Sequence, residues 1–104
     1  MVVAACSTAP NDGPPCEVVA AQFYATSRTA SERVPDEALR RTLDEQLPAW
    51  RDQLARSCRA GNWSPGARLC FAEAVDRVSF DACTRQLTDE QRTALESWYT
   101  VRTH

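Results

Sequence analysis

Apolar residues recur along this chain with the spacing of helices. From Cys16 onward no stretch alternates between apolar and polar residues as a half-buried strand does, and no Asn-Gly or Asp-Gly turn suggests a hairpin. Each long segment instead places its apolar residues three or four positions apart. The pattern predicts an all-α domain, a small disulfide-stabilised bundle of four main helices plus one short helix.

The first two predicted helices run over about residues 16–29 and from Pro35 to Gly61. The first has an apolar stripe of Val19, Phe23, Thr26 and Ala30, flanked by Val18, Ala21 and Ala25. The stripe of the second is Leu39, Leu43, Leu47, Trp50, Leu54 and Cys58. Because this stripe stays in phase across Pro48, one kinked helix is favoured over two. Gly61 is expected to end it as a C′ glycine.

Helix-start signals organise the second half of the chain. Ser64 followed by Pro65 is typical of an N-cap and a first-turn proline. The next helix is apolar nearly all round, which predicts the buried centre of the domain, through Leu69, Cys70, Phe71, Ala72, Ala74 and Val75. Ser79 is expected to cap a short helix. Thr88 and Gln91 form a capping box that opens a last amphipathic helix, whose apolar face carries Leu95, Trp98 and Val101.

Length and charge limit the class of protein. A chain of 104 residues has room for one domain with one hydrophobic core, and apolar and charged fractions of 43% and 25% are typical of globular proteins. The net charge is −2 and no basic block is present, which argues against a nucleic-acid partner. No apolar run is long enough to cross a bilayer as a helix.

Five cysteines in so short a chain, with no Cys-x-x-Cys pair, favour a disulfide framework and therefore export to an oxidising compartment. The odd cysteine is explained at the N-terminus. The sequence Val3-Ala4-Ala5-Cys6 has the form of a bacterial lipobox, in which the Cys6 thiol receives a diacylglycerol. The alternative is that Cys6 is an ordinary thiol.

The residues after Cys6 have the composition of a linker. Three prolines between residues 7 and 15 disfavour helix and favour extended backbone, and this segment reaches about 30 Å when fully extended. Residues 1–15 are therefore predicted to be a lipobox-like N-terminus with a Pro-rich tether, and residues 16–104 a helical domain. Membrane attachment is expected only through a lipid on Cys6.

The four remaining cysteines can pair in three ways, and the sequence alone does not choose among them. If the first two helices form an antiparallel hairpin, Cys16 at the start of one lies beside Cys58 at the end of the other. Cys70 and Cys83 would then join the central helix to the short helix that follows it. This connectivity is the one that the hairpin favours.

The second half of the chain resembles a known kind of module. Two spacings carry the resemblance, Cys58-x4-Trp63-Ser64-x5-Cys70 and Cys83-x3-Leu87-Thr88-x2-Gln91. They resemble Cys-rich helical modules in exported proteins and lipoproteins of myxobacteria and their relatives, for which no activity is agreed. The resemblance implies export, helices and disulfides, and it transfers no catalytic residue.

No residue pattern indicates catalysis, a metal or a cofactor. The only histidine is the terminal His104, where no structure would hold it as a base. The carboxylate pairs 36–37, 44–45 and 89–90 are adjacent on helices, so their side chains diverge. The cysteines lack the close spacing of structural zinc ligands. The chain is therefore expected not to be an enzyme, with no cofactor and no metal.

The function predicted from the sequence is a non-enzymatic, envelope-associated or secreted module that acts by protein contact or as a membrane-tethered spacer. Its protein partner is unknown. Trp98 and Tyr99 could form part of a partner-binding patch, although burial in the core is the default for these residues. The alternative function is a soluble binding module for a small apolar ligand held between helices, suggested by the apolar helix from Leu69 to Val75.

Overall fold

The computed structural model describes residues 13–103, with side chains up to residue 97, and this part of the chain is all-α. The helices are α1 (Cys16–Ser31), α2 (Glu37–Ala60), α3 (Pro65–Glu73), α4 (Arg77–Cys83) and α5 (Asp89–Thr103), and a 3-10 turn at Thr84–Gln86 follows α4. The prediction of a small disulfide-stabilised bundle with four main helices and one short helix is confirmed. No helix within residues 13–103 has the length and apolar character needed to cross a membrane.

The helices α1 and α2 form an antiparallel hairpin and are the largest packed pair in the fold. Cys16 is bonded to Cys58 at one end, and Ser31 donates a hydrogen bond to Asp44 Oδ1 at the other. The helix α2 continues through Pro48, so the prediction of one helix is confirmed. It begins at Glu37, two residues later than predicted, since Asp36 is the N-cap.

The end of α2 differs from the prediction. Gly61 has right-handed backbone angles and is the C-cap residue. Asn62 follows it in the left-handed region with φ of 53°. The backbone N–H of Asn62 donates to the Arg59 carbonyl and that of Trp63 to the Cys58 carbonyl, each at 3.2 Å. This is a Schellman motif with Asn62 at C′. The prediction that Gly61 takes that position is wrong, because asparagine also tolerates positive φ.

A glycine is nevertheless needed at position 61. A Cβ atom there would lie 2.9 Å from the Ser57 carbonyl oxygen and 3.1 Å from two ring atoms of Trp63. The motif turns the chain so that the Trp63 indole folds back over the end of α2 and is buried. Gly61 therefore provides space for this contact.

The core lies where α1, α2 and α3 meet. Its largest fully buried side chains are Phe71, Leu54, Val19 and Cys58. Aromatic rings continue it outward, with ring centroids of Phe71 5.0 Å from Trp63 and 4.8 Å from Phe80. The Phe80 ring in turn lies 5.4 Å from Phe23 on α1. This chain of rings connects α4 to the centre of the domain.

The helix α3 is not buried all round, and that prediction is wrong. Ala67 and Phe71 are completely buried, but Leu69 is 48% exposed, and Val75 is 71% exposed and lies beyond the end of the helix. The helix packs on α1 with one face and on α4 with another, at the edge of the bundle. Leu69 therefore faces solvent. The predicted Ser64 cap is confirmed, since its hydroxyl accepts from the Ala67 N–H.

Capping of α4 also differs from the prediction. Asp76, not Ser79, is the N-cap of α4, and its carboxylate accepts hydrogen bonds from the Ser79 N–H at 2.8 Å and the Ser79 hydroxyl at 2.7 Å. Ser79 is the reciprocal partner, because its Oγ accepts from the Asp76 N–H. The capping box of α5 is confirmed, with Thr88 and Gln91 exchanging hydrogen bonds of 2.8 and 3.1 Å.

The structure joins Cys16 to Cys58 and Cys70 to Cys83, with both Cα pairs 5.7 Å apart. These are the pairs that the helical hairpin favours. Two disulfides in a domain of this size are typical of an oxidising compartment.

Candidate functional site

An apolar groove of about 970 Å³ lies among the described residues. It lies between the C-terminal half of α1, the N-terminal half of α2, the short helix α4 and the middle of α5. Its apolar side chains are Phe23, Ala30, Val34, Leu43, Leu47, Trp50, Val75, Phe80 and Leu95. We call this surface the apolar groove.

Helix periodicity explains why these residues share a surface. Leu43, Leu47 and Trp50 on α2 follow one another at steps of four and three, so they form one face. Phe80 of α4 closes the opposite side through its ring contact with Phe23. Leu47 is 3% exposed whereas Leu43 is half-buried, so the groove deepens toward the middle of α2.

Charged and hydroxyl side chains form the rim. On the α4 side, Arg77 Nε donates to both carboxylate oxygens of Asp81 at 3.1 Å. Beside this pair, the hydrogen bonds from the Ser79 backbone and hydroxyl hold the pKa of Asp76 below its ordinary value. Arg33, in the turn between α1 and α2, lies on the α1 side of the rim. The rim thus carries charges of both signs around an apolar floor.

A polar network fixes the end of α1 at the groove. Ser31 is 4% exposed and donates to Asp44 Oδ1 at 2.7 Å, and Arg28 Nε lies 3.9 Å from the same oxygen. Arg28 also donates to the Tyr24 hydroxyl, and that hydrogen bond is the main cause that raises the Arg28 pKa above its ordinary value. The guanidinium of Arg51 lies 5.0 Å from the centroid of the Tyr24 ring. These contacts hold α1 against α2 at this end of the hairpin.

The chain enters the domain at the opposite end of α1. Gly13 lies against Pro65 in the first turn of α3, and Arg68 donates a hydrogen bond to the Pro14 carbonyl at 3.2 Å. The last three residues of the predicted tether therefore contact the helical domain. With a rise of about 1.5 Å per residue along α1, this entry point lies about 10 Å from the near edge of the groove at Phe23 and about 20 Å from Ala30 farther along it.

The other residues singled out in the sequence are distributed as follows. The four disulfide cysteines lie in or beside the core, away from the floor of the groove. Cys6 and His104 lie outside the described residues. Trp98 and Tyr99 belong to α5, but their side chains lie outside the described part, so the partner patch stays a prediction. Residues 13–97 contain no cluster of three or more His, Cys, Asp or Glu side chains suited to a metal ion.

The groove itself was not predicted from the sequence. The apolar stripe of α2 predicts that Leu43, Leu47 and Trp50 are buried, and Phe80 is expected only to lie on the short helix that Ser79 begins. The sequence signal for the groove is the length of the apolar stripe on α2. This stripe extends toward the start of α2, past the point where the neighbouring helix α1 ends. The apolar stretch from Leu69 to Val75 has two mainly exposed apolar side chains, Leu69 and Val75. Of these, Val75 lines the groove.

No protein-family model, curated protein or solved structure matches this chain. The resemblance to exported Cys-rich modules therefore stays a prediction from the sequence.

Proposed function

We propose that this protein is an exported, non-enzymatic helical module that binds a protein partner through the apolar groove while its N-terminus is tethered to a membrane. The observation that carries the proposal is the placement of the groove at the end of α1 opposite the entry of the chain. A tether that begins before Gly13 would leave the groove directed away from the anchored end.

Three features support protein binding rather than catalysis as the function. The groove exposes apolar side chains, including Val75 at 71%, and such surfaces on soluble domains are typical of interaction sites. The rim charges on the α4 side are engaged in an ion pair, as with Arg77 and Asp81, or in capping, as with Asp76, so they are suited to orientation more than to proton transfer. The Cys70–Cys83 disulfide attaches α4, one wall of the groove, and Cys16–Cys58 holds the far end of the helical hairpin, without requiring a large core.

Site-specific photo-crosslinking of the full chain in its native host tests the contact. A benzophenone amino acid at Val75 lies on the groove, and the same residue at Leu69, which is 48% exposed on α3, is the matched control. We expect a discrete protein adduct from position 75 and none from position 69. Equal adducts at both positions, or none at either, would contradict a protein contact in the groove.

Fractionation of the same cells tests the tether. We expect the protein to sediment with membranes and Cys6→Ser to move it to the soluble fraction. Intact-mass measurement of the membrane form should show the mass of a diacylglycerol modification. A soluble natural form with an unmodified Cys6 would remove the tether from the proposal and leave a secreted module.

The alternative function, binding of a small apolar ligand, is favoured by one observation. The volume of about 970 Å³ lies at the upper end of the range of small-molecule sites, and the floor is apolar and aromatic. Native mass spectrometry of protein purified from its host distinguishes the two functions. A bound lipid or other small molecule that is lost in Val75→Asp favours the ligand, and ligand-free protein that still forms the crosslink favours the partner.

A further inference from the structure

The Cys70–Cys83 disulfide holds one wall of the apolar groove. Cys83 is the last residue of α4, and Asp76, Arg77, Phe80 and Asp81 of the α4 region line the groove. The second cysteine, Cys70, is on α3 and is only half-buried. The disulfide therefore connects α3, whose Phe71 lies in the core, to the short surface helix α4 at the groove.

Few other contacts attach α4 to the fold. It has seven residues, and a helix of that length is not stable without packing. Besides Cys83, the side chain of α4 that packs into the described part of the domain is Phe80. Its ring contacts the rings of Phe23 and Phe71. Val78, at 77% exposed, faces away from the domain. The disulfide is therefore the strongest connection between α4 and the core.

The two disulfides differ at one cysteine: Cys83 is 2% exposed and belongs to the same core cluster as Cys16 and Cys58, whereas Cys70 is only half-buried. Cys16 is 8% exposed and Cys58 is completely buried, and both belong to the same core cluster as Val19, Leu54 and Trp63. A reductant can reach this bond only when the core opens. The Cys70–Cys83 bond becomes accessible when α4 alone opens, which costs less free energy because fewer buried contacts are lost.

We infer that the Cys70–Cys83 disulfide is a redox switch of the apolar groove. This inference rests on the proposed function, because it regulates the same surface. An exported dithiol protein would reduce the bond and release α4, so that the groove loses one wall while Cys16–Cys58 keeps α1 joined to α2. Oxidation by a disulfide donor of the same compartment would restore the wall.

The chemistry of this step is thiol–disulfide exchange. A thiolate of the dithiol attacks Cys70 Sγ, the sulfur–sulfur bond breaks, and the electron pair leaves with Cys83 Sγ, which takes up a proton. The second thiol of the reductant then attacks the mixed disulfide and releases Cys70 as a thiol. The module gains two electrons and two protons, and the reductant becomes a disulfide.

Differential labelling of the full chain tests the order of reduction. Any free Cys6 thiol is first blocked with iodoacetamide under native conditions, and dithiothreitol is then added in steps before N-ethylmaleimide and peptide mapping. We expect Cys70 and Cys83 to be labelled at least about tenfold faster than Cys16 and Cys58. Simultaneous labelling of all four cysteines, or earlier labelling of Cys16 and Cys58, would overturn the inference.

Hydrogen exchange of the selectively reduced protein tests the structural effect without a partner. We expect peptides covering residues 77–83 to lose protection while those of α1 and α2 keep it, and Cys70→Ser/Cys83→Ser to reproduce this pattern. Unchanged protection of α4 after reduction would overturn the switch. The crosslink from Val75 separates the two proposals: its absence in both redox states contradicts the proposed contact, whereas the labelling and exchange results decide the switch independently.

Discussion

The side-chain amide of Gln91 donates a hydrogen bond to the backbone carbonyl of Gly61 at 2.7 Å, while its oxygen accepts one from the Thr88 N–H. One side chain thus completes the capping box of α5 and satisfies a carbonyl at the end of α2. The start of the last helix is thereby fixed to the turn that places Trp63 in the core.

Substitution of Gln91 should separate these two roles. Gln91→Ala removes both hydrogen bonds and is expected to lower the free energy of unfolding by about 1–2 kcal/mol. Gln91→Glu keeps the capping acceptor and loses only the donor to Gly61, so its loss should be smaller. Urea unfolding followed by circular dichroism measures both. Equal stability of the two variants would show that the bond to Gly61 carries the whole effect.

Two glycine-to-alanine substitutions should change the free energy of unfolding in opposite directions. Gly61→Ala places a Cβ within 2.9 Å of the Ser57 carbonyl and against the Trp63 ring, which should cost about 1–3 kcal/mol. Gly66, near the start of α3, has only Gln86 Oε1 at 3.5 Å from its Cβ position, so Gly66→Ala should stabilise the protein by about 0.4–1 kcal/mol. Thermal melts of the pair measure the contrast. A neutral Gly61→Ala would contradict the close approach of Trp63.

The two disulfides should contribute unequally to stability. Cys16 and Cys58 are 42 residues apart and Cys70 and Cys83 are 13 apart. Chain-entropy estimates for loops of these lengths are about 4 and about 3 kcal/mol. Replacing each pair with serine and measuring unfolding in guanidinium should therefore show a larger loss for the first pair. Cys6→Ser is the control and should leave the unfolding curve unchanged.

Acid should weaken the cap of α4. The pKa of Asp76 is lowered by its hydrogen bonds from Ser79, so its charged form stabilises the fold. This contribution is complete above the ordinary value of 3.8 and is lost as the pH falls through the lowered pKa. NMR titration of the Ser79 amide should show a midpoint below 3.8. The shift should be absent in Asp76→Asn, where the cap does not ionise; a midpoint above 3.8 would contradict the cap.

Local signals accounted for most of the helices. The stripe that continues in phase across Pro48 predicted a single α2, and the Ser64 and Thr88 caps predicted the starts of α3 and α5. Each of these features depends on residues within one or two turns of each other. The preferred cysteine pairs also followed from the antiparallel arrangement of two adjacent helices.

The remaining features depend on which surfaces meet in three dimensions. Leu69 and Phe71 are equally apolar and lie two residues apart, yet one faces solvent and the other the core, because α3 has neighbours on only part of its surface. The groove combines side chains from Phe23 to Leu95, whose proximity no local pattern encodes. The C′ position was predicted at Gly61 and not at Asn62 because glycine is the commoner residue at this position.

The connectivity of the disulfides has a consequence for how the chain matures. Each bridge joins a cysteine to the next one along the domain, and the two loops do not overlap. A chain oxidised progressively as its N-terminus emerges would reach the native pairing by joining each new thiol to the last unpaired one. The chain would therefore need no isomerase to rearrange its disulfides. Cys6 is the exception, because as a free thiol it would meet Cys16 first, and a lipid on its sulfur would prevent that mispairing.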